Sequence, residues 1–185
     1  MRYREIIEND EEHAEELAKT GFWGKEAAGC IFMSMSSGRI LLAHRSSAVL
    51  QPNTWGTWGG AMDHGESPLE AVKREAFEEC GKNVTNDHIV PLYVFKSGNF
   101  RYYNFLVLVP HEFDPALNWE TQGYDWCYFG DWPSPLHFGL RDLLSDPDSV
   151  AKIKSHIHTK NGRRFAEEDV DEDIWAGGDT GEPIL

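Results

Sequence analysis

Basic residues are scarce in this chain. Seventeen Lys and Arg stand against thirty-one Asp and Glu, a formal net charge of −14. That balance argues against a general nucleic-acid binder, whose phosphate-facing surface needs clustered cations, and makes long RNA or DNA an unattractive partner. Small phosphorylated ligands stay open, because a bound divalent cation reverses the local sign. Cysteine is also sparse. Cys30, Cys80 and Cys127 lie far apart with no Cys-x-x-Cys pair, which argues against a disulfide framework or a zinc site and suits a reducing compartment. No apolar run approaches the roughly 18 to 20 residues of a membrane span. The first twenty residues are charged and lack the apolar centre of a signal peptide. The sequence therefore predicts a cytoplasmic protein with no membrane contact. No Asp-x-Asp-x-Asp-Gly loop of the kind that buffers calcium is present either.

What is there reads as one ordinary domain with appendages. Of 185 residues, 41% are apolar and 26% charged, enough to close a single core. Residues 1–20 form an acidic segment whose thin apolar stripe (Ile6, Ile7, Ala14, Leu17, Ala18) predicts a short surface helix. Residues 161–185 form an acidic tail poor in core formers. In the domain between, residues 21–160, Ala27 to Ser34 and Arg39 to His44 read as strands joined by Ser36-Ser37-Gly38. Gln51 to Gly60 reads as a Pro/Asn/Gly-rich stretch leading into a glycine-bearing loop. Ile89 to Lys96, Phe100 to Val109 and Tyr124 to Phe129 read as further strands, and Leu136 to Leu144 and Ser149 to His156 as short helices.

The clearest helix starts at Ser67-Pro68-Leu69-Glu70, a capping box with proline at the first helical position, and stops at Gly81. Leu69, Val72, Ala76 and Cys80 recur at helical spacing as its core face. Glu75, Glu78 and Glu79 occupy an arc of about 100° beside that face. Their mutual repulsion is unfavourable, and so is their place in the last turns, where the helix dipole disfavours anions by about 0.3–1 kcal/mol each. Two readings stand at this point: a solvated acidic face, or oxygens gathered for a hard divalent cation. Glu rather than His or Cys points to Mg²⁺, with Mn²⁺ as the alternative.

The segment from Gly60 to Lys82 as a whole resembles the Nudix box. That pattern is Gly, five residues, Glu66, seven residues, Arg74-Glu75, an apolar residue, any residue, Glu78-Glu79, any residue, Gly81, and an apolar residue. Every charged and glycine position is present. The last apolar position is Lys82 instead, and Val84 is expected to take over its packing. The resemblance implies an α/β fold, an α/β/α sandwich with a mixed sheet and a loop-helix-loop metal site. It implies a hydrolase that cleaves a nucleoside diphosphate linked to another moiety, by attack of water on phosphorus. Glu78 and Glu79 would be metal ligands and Glu75 a further ligand or the base. Arg74 would orient carboxylates, through Glu66 or Glu75, and the Gly60 carbonyl would reach the metal. The alternative is a nucleotide-binding or regulatory module that kept this fold and lost turnover.

Outside the box, Glu112, Glu120 and Asp125 are further candidates for the base. Arg45 is a candidate for substrate phosphate, with a plain surface role as the competing reading. Trp55 and Trp58 are candidates for stacking a base, with core or rim filling as the alternative. Strand alternation sends one of Tyr102 and Tyr103 outward, and Tyr103 is taken as the residue facing substrate. His64, and the His156/His158 pair, read as solvated side chains. The leaving group is not specified by any of these positions, since flanking loops set it.

Overall fold

The computed structural model describes residues 24–85 and 88–157. The N-terminal segment, the acidic tail and His158 lie outside the described residues. Within them the order is β1 (Glu26–Ser34), β2 (Ile40–Arg45), β3 (Trp55–Gly56), β4 (Trp58–Ala61), α1 (Pro68–Cys80), β5 (Ile89–Ser97), β6 (Phe100–Val109), β7 (Thr121–Cys127), α2 (Phe138–Leu143) and α3 (Pro147–Ser155).

β1 is the centre of the sheet. Its sequence is a nearly continuous run of small and apolar residues, and all but Glu26 are buried, as befits a strand covered on both faces. One edge of β1 runs parallel to β6 in unbroken register, from Glu26 opposite Arg101 to Ser34 opposite Val109. The other edge is shared. β4 pairs antiparallel with its first half, Ala27 to Cys30, and β2 with its second, Phe32 and Met33. β5 extends the sheet beyond β6, while β2 carries β3 and β7.

Alternation along β1 divides the core in two. Ala28, Cys30 and Phe32 pack with Val72, Ala76 and Cys80 of α1. Ile31 and Met33 pack on the opposite side with Leu140, Leu143 and Ile153 of α2 and α3. The result is a helix layer on each face of a mixed sheet, the sandwich that the resemblance implied.

The helix signals act as the sequence predicts. Ser67 Oγ accepts from Glu70 N, and a Glu70 carboxylate oxygen accepts from Ser67 N at 2.8 Å. Gly81 takes the left-handed conformation (φ 69°) and donates to Phe77 O. Val84 packs against the first core cluster, and the Lys82 ammonium lies 4.7 Å from the centre of the Phe113 ring. A cation over an aromatic face thus replaces the missing apolar residue.

The stretch read as loop is the main difference. Trp55–Gly56 pairs with His44 and Ala43, and Trp58–Ala61 pairs with β1. Segments this short and glycine-rich carry no strand periodicity of their own; pairing partners distant in sequence make them strands. Elsewhere the differences are at the ends: β7 begins at Thr121, and α2 is confined to Phe138–Leu143 behind a His137 cap.

α3 buries only Ser149 and Ile153, so one side chain provides most of its apolar anchorage. Ile153→Ala should lower stability by about 2–5 kcal/mol, measured as a reduced urea midpoint with little change in slope.

Candidate active site

Arg74 is the hub of the site. Its Nε donates to Glu66 Oε1 at 2.9 Å and Nη2 to Glu66 Oε2 at 3.0 Å, a two-pronged carboxylate contact. Nη2 also donates to Ala61 O at the end of β4 (2.9 Å), while Nη1 donates to Glu75 (2.9 Å) and Glu78 (3.0 Å). The expectation named Glu66 or Glu75 as its partner; the guanidinium holds both. It thereby clamps the loop after β4 onto the flank of α1.

The carboxylates do not share one environment. Glu75 and Glu79, one turn apart, are 8% and 6% exposed, while Glu78 is exposed. The buried pair faces β4. Glu79 Oε2 accepts from Gly59 N at 2.7 Å, and a Cβ on residue 60 would sit 2.7 Å from Glu75 Oε1. Glycine is required at Gly60 by this close approach.

Burial pushes the Glu75 carboxyl up to about 7, against the pull of Arg74. Glu79 is raised well above its ordinary value, by burial first and then by Glu75 and Glu120. Glu120 is raised by burial, with Arg45 opposing, and its carboxyl lies within hydrogen-bonding reach of Glu79. Two carboxyls in contact must share a proton or a cation. Among the described residues, no three acidic, His or Cys side chains are gathered as a ready ligand shell. Arg74 holds Glu78 on the exposed side of the helix and occupies an oxygen of Glu75.

Of the three base candidates outside the box, only Glu120 joins this group. Glu112 is paired with Arg39, whose Nε donates to it at 2.6 Å. Asp125 is exposed on β7, opposite Leu42.

Beside the carboxylates opens a cavity of about 1000 Å³. Gly59, Gly60 and Glu120 line it. Arg45 lines it too, its Nε and Nη2 both donating to Leu50 O (3.1 and 2.7 Å). Phe95, Phe100, Phe138 and the 68% exposed Trp119 provide apolar wall.

Two expectations are corrected. Trp58 is fully buried, its indole N–H directed at Leu41 O, so it fills the core instead of offering a face to substrate. Tyr102, not Tyr103, faces the cavity, bonded to Thr57 Oγ1 at 2.9 Å; Tyr103 points to the other side of β6 and donates to Glu26. Alternation was the right rule, but sequence alone left its phase open. Trp55 lies with one face stacked on His44, 4.5 Å away. His64 is exposed and His156 half-buried. Thr57, Asn104, Trp119 and His137 line the cavity from separate segments, and no motif marks them.

A family profile described as NUDIX domain matches residues 24–146. The chain belongs to the Nudix family. A nucleoside triphosphate pyrophosphatase/Nudix hydrolase fusion protein of Bifidobacterium longum is 28% identical over 114 residues, covering 57% of this chain and 23% of that protein. The chain spans less than a third of the length of the curated relatives it matches. Among solved structures, a Nudix hydrolase from M. smegmatis, RenU, superposes with a TM-score of 0.57 at 23% identity, covering 76% of this chain and 92% of that one. A MutT Nudix hydrolase from Burkholderia pseudomallei gives 0.53 at 26% identity, covering 67% and 98%. Among the described residues of this Nudix protein, no helix is long and apolar enough to cross a membrane.

The raised carboxyls have a thermodynamic consequence. With a folded-state value near 7 against an ordinary 4.5, Glu75 binds more protons in the folded than in the unfolded chain between those limits. Its contribution is therefore fully present below about 4.5 and is lost as pH rises through 7; Glu79 extends the loss upward. Chelator-treated protein should melt at a lower temperature at about pH 8 than at about pH 5. Added Mg²⁺ should raise the melting temperature more at the higher pH. A flat profile in both conditions would contradict the assigned burial of charge.

Proposed function

We propose that the chain is a divalent-cation-dependent pyrophosphohydrolase. It cleaves a nucleoside diphosphate linked to another moiety by attack of water on phosphorus. The observation that carries this reading is the buried pair Glu75 and Glu79, Glu79 coupled to Glu120, packed against the β4 glycines that line a cavity large enough for a nucleotide. Carboxylates that repel one another in a partly desolvated setting are tolerated when a hard cation supplies counter-charge, and an all-oxygen donor set fits Mg²⁺ or Mn²⁺.

Glu75, Glu78 and Glu79, with the Gly60 carbonyl, are the ligands this reading assigns. A cation held there would supply counter-charge to the phosphate oxygens and lower the pKa of a bound water. The chain's own residues do the rest. Arg74 fixes the carboxylates by charge-assisted bonds. Glu120, or Glu75 where it serves as base and not as ligand, takes the proton of the attacking water, each having a raised pKa. Arg45, tethered by Leu50 and open to the cavity, receives the phosphate chain. Trp119, exposed at the same cavity, offers the broad face for a base that Trp58 does not.

Glu79→Gln keeps size and removes charge. Its kcat/KM toward a nucleotide hydrolysed by the wild type in Mg²⁺ should fall by at least about 10²-fold, read by phosphate release from a nucleotide panel. Wild-type turnover by this variant, or undiminished wild-type turnover in excess EDTA, would remove the basis of the reading.

A further inference from the structure

The cavity lining has two chemically distinct parts. Glu120 and the β4 glycines make up one. In the other, three phenylalanines meet edge to face: Phe95 and Phe138 lie 5.6 Å apart, and Phe95 and Phe100 6.4 Å. His137 joins this wall, its ring centre 4.5 Å from that of Phe138. Such a surface suits a flat ring.

His137 is fixed there in one form. Its Nδ1 accepts the Gly139 N–H at 3.1 Å, capping α2. Its backbone N–H donates to Trp55 O at 2.8 Å, tying it to β3. Burial, with Arg45 nearby, pushes its pKa down to about 4, so the ring is neutral at pH 7. A neutral imidazole that accepts through Nδ1 carries its one proton on Nε2. That Nε2–H has no partner among the described residues, and the side chain lines the cavity.

We propose that His137 is a specificity residue that reads the edge of the substrate's base: its Nε2–H donates to a ring carbonyl, favouring an oxo-bearing base over an amino-bearing one. The inference rests on the nucleotide reading of the site given above. An amino group at the same edge would oppose donor to donor, leaving a desolvated N–H unpaired. Sites built to make such a bond discriminate strongly against the analogue that lacks it.

Inosine and adenosine triphosphates differ at this edge, oxo against amino. Calorimetric titration of the full chain in Ca²⁺ should show the inosine nucleotide binding about tenfold tighter. His137→Asn retains a side-chain oxygen to accept the Gly139 N–H, asparagine being a strong cap, but withdraws the donor from the cavity. Its melting temperature should hold while its inosine affinity falls to the adenosine level. Equal or reversed wild-type preference, no binding of either nucleotide, or a preference unchanged in a folded His137→Asn variant would overturn the proposal. The wild-type comparison decides without the variant if the latter fails to fold. Preference in binding with no hydrolysis in Mg²⁺ would support this inference and sink the proposed activity; hydrolysis without preference would do the reverse.

Discussion

Negative charge held out of water is the constraint around which this molecule is arranged. At about 4 Å and an effective dielectric near 20, two like unit charges repel by about 4 kcal/mol. Glu75 and Glu79 are nevertheless sunk against β4. Their neighbours are what such a placement demands. β4 is glycine where the carboxylates approach. Arg74 supplies a cation inside the cluster and spans from helix to loop. The helix is secured at both ends by caps, so its position is not left to side chains under electrostatic strain.

How much of this could be read in the sequence depended on whether the signal was local. The caps, the core face of α1 and the existence of β1 and β6 follow from residues a few positions apart, and the structure has them where the sequence puts them. β3 and β4 were illegible because two to four residues, half of them glycine, become strand only through β1 and β2. Trp58 was misassigned for the same reason: its burial is decided by the strand it joins. Of the outside acids, Glu120 differs from Glu112 and Asp125 only in where a long connection delivers it. Nothing in its own neighbourhood records that. The cavity wall was less legible still, assembled from seven separate stretches, and the phase of Tyr102 and Tyr103 had to be seen.

The site draws on both faces of the sheet. Arg74 and the buried carboxylates belong to α1, where a family pattern fixes residue type and spacing. The aromatic rings and the neutral imidazole of the cavity come from β5, β6 and the start of α2, where no pattern operates. Under the proposed function, attack on phosphorus and recognition of the base would be carried by different elements.

The shared edge of β1 has a further effect. Because β4 and β2 each keep their own register with that strand, the gap where they part is framed by main chain that substitutions in the rim cannot shift. Residues 46–54 join β2 to its own partner β3 and contribute Ala48 to Gln51 to the cavity. They can lengthen, shorten or change composition while Glu75 and Glu79 keep their places against β4. Such a frame lets the rim of the cavity vary without disturbing the carboxylates behind it.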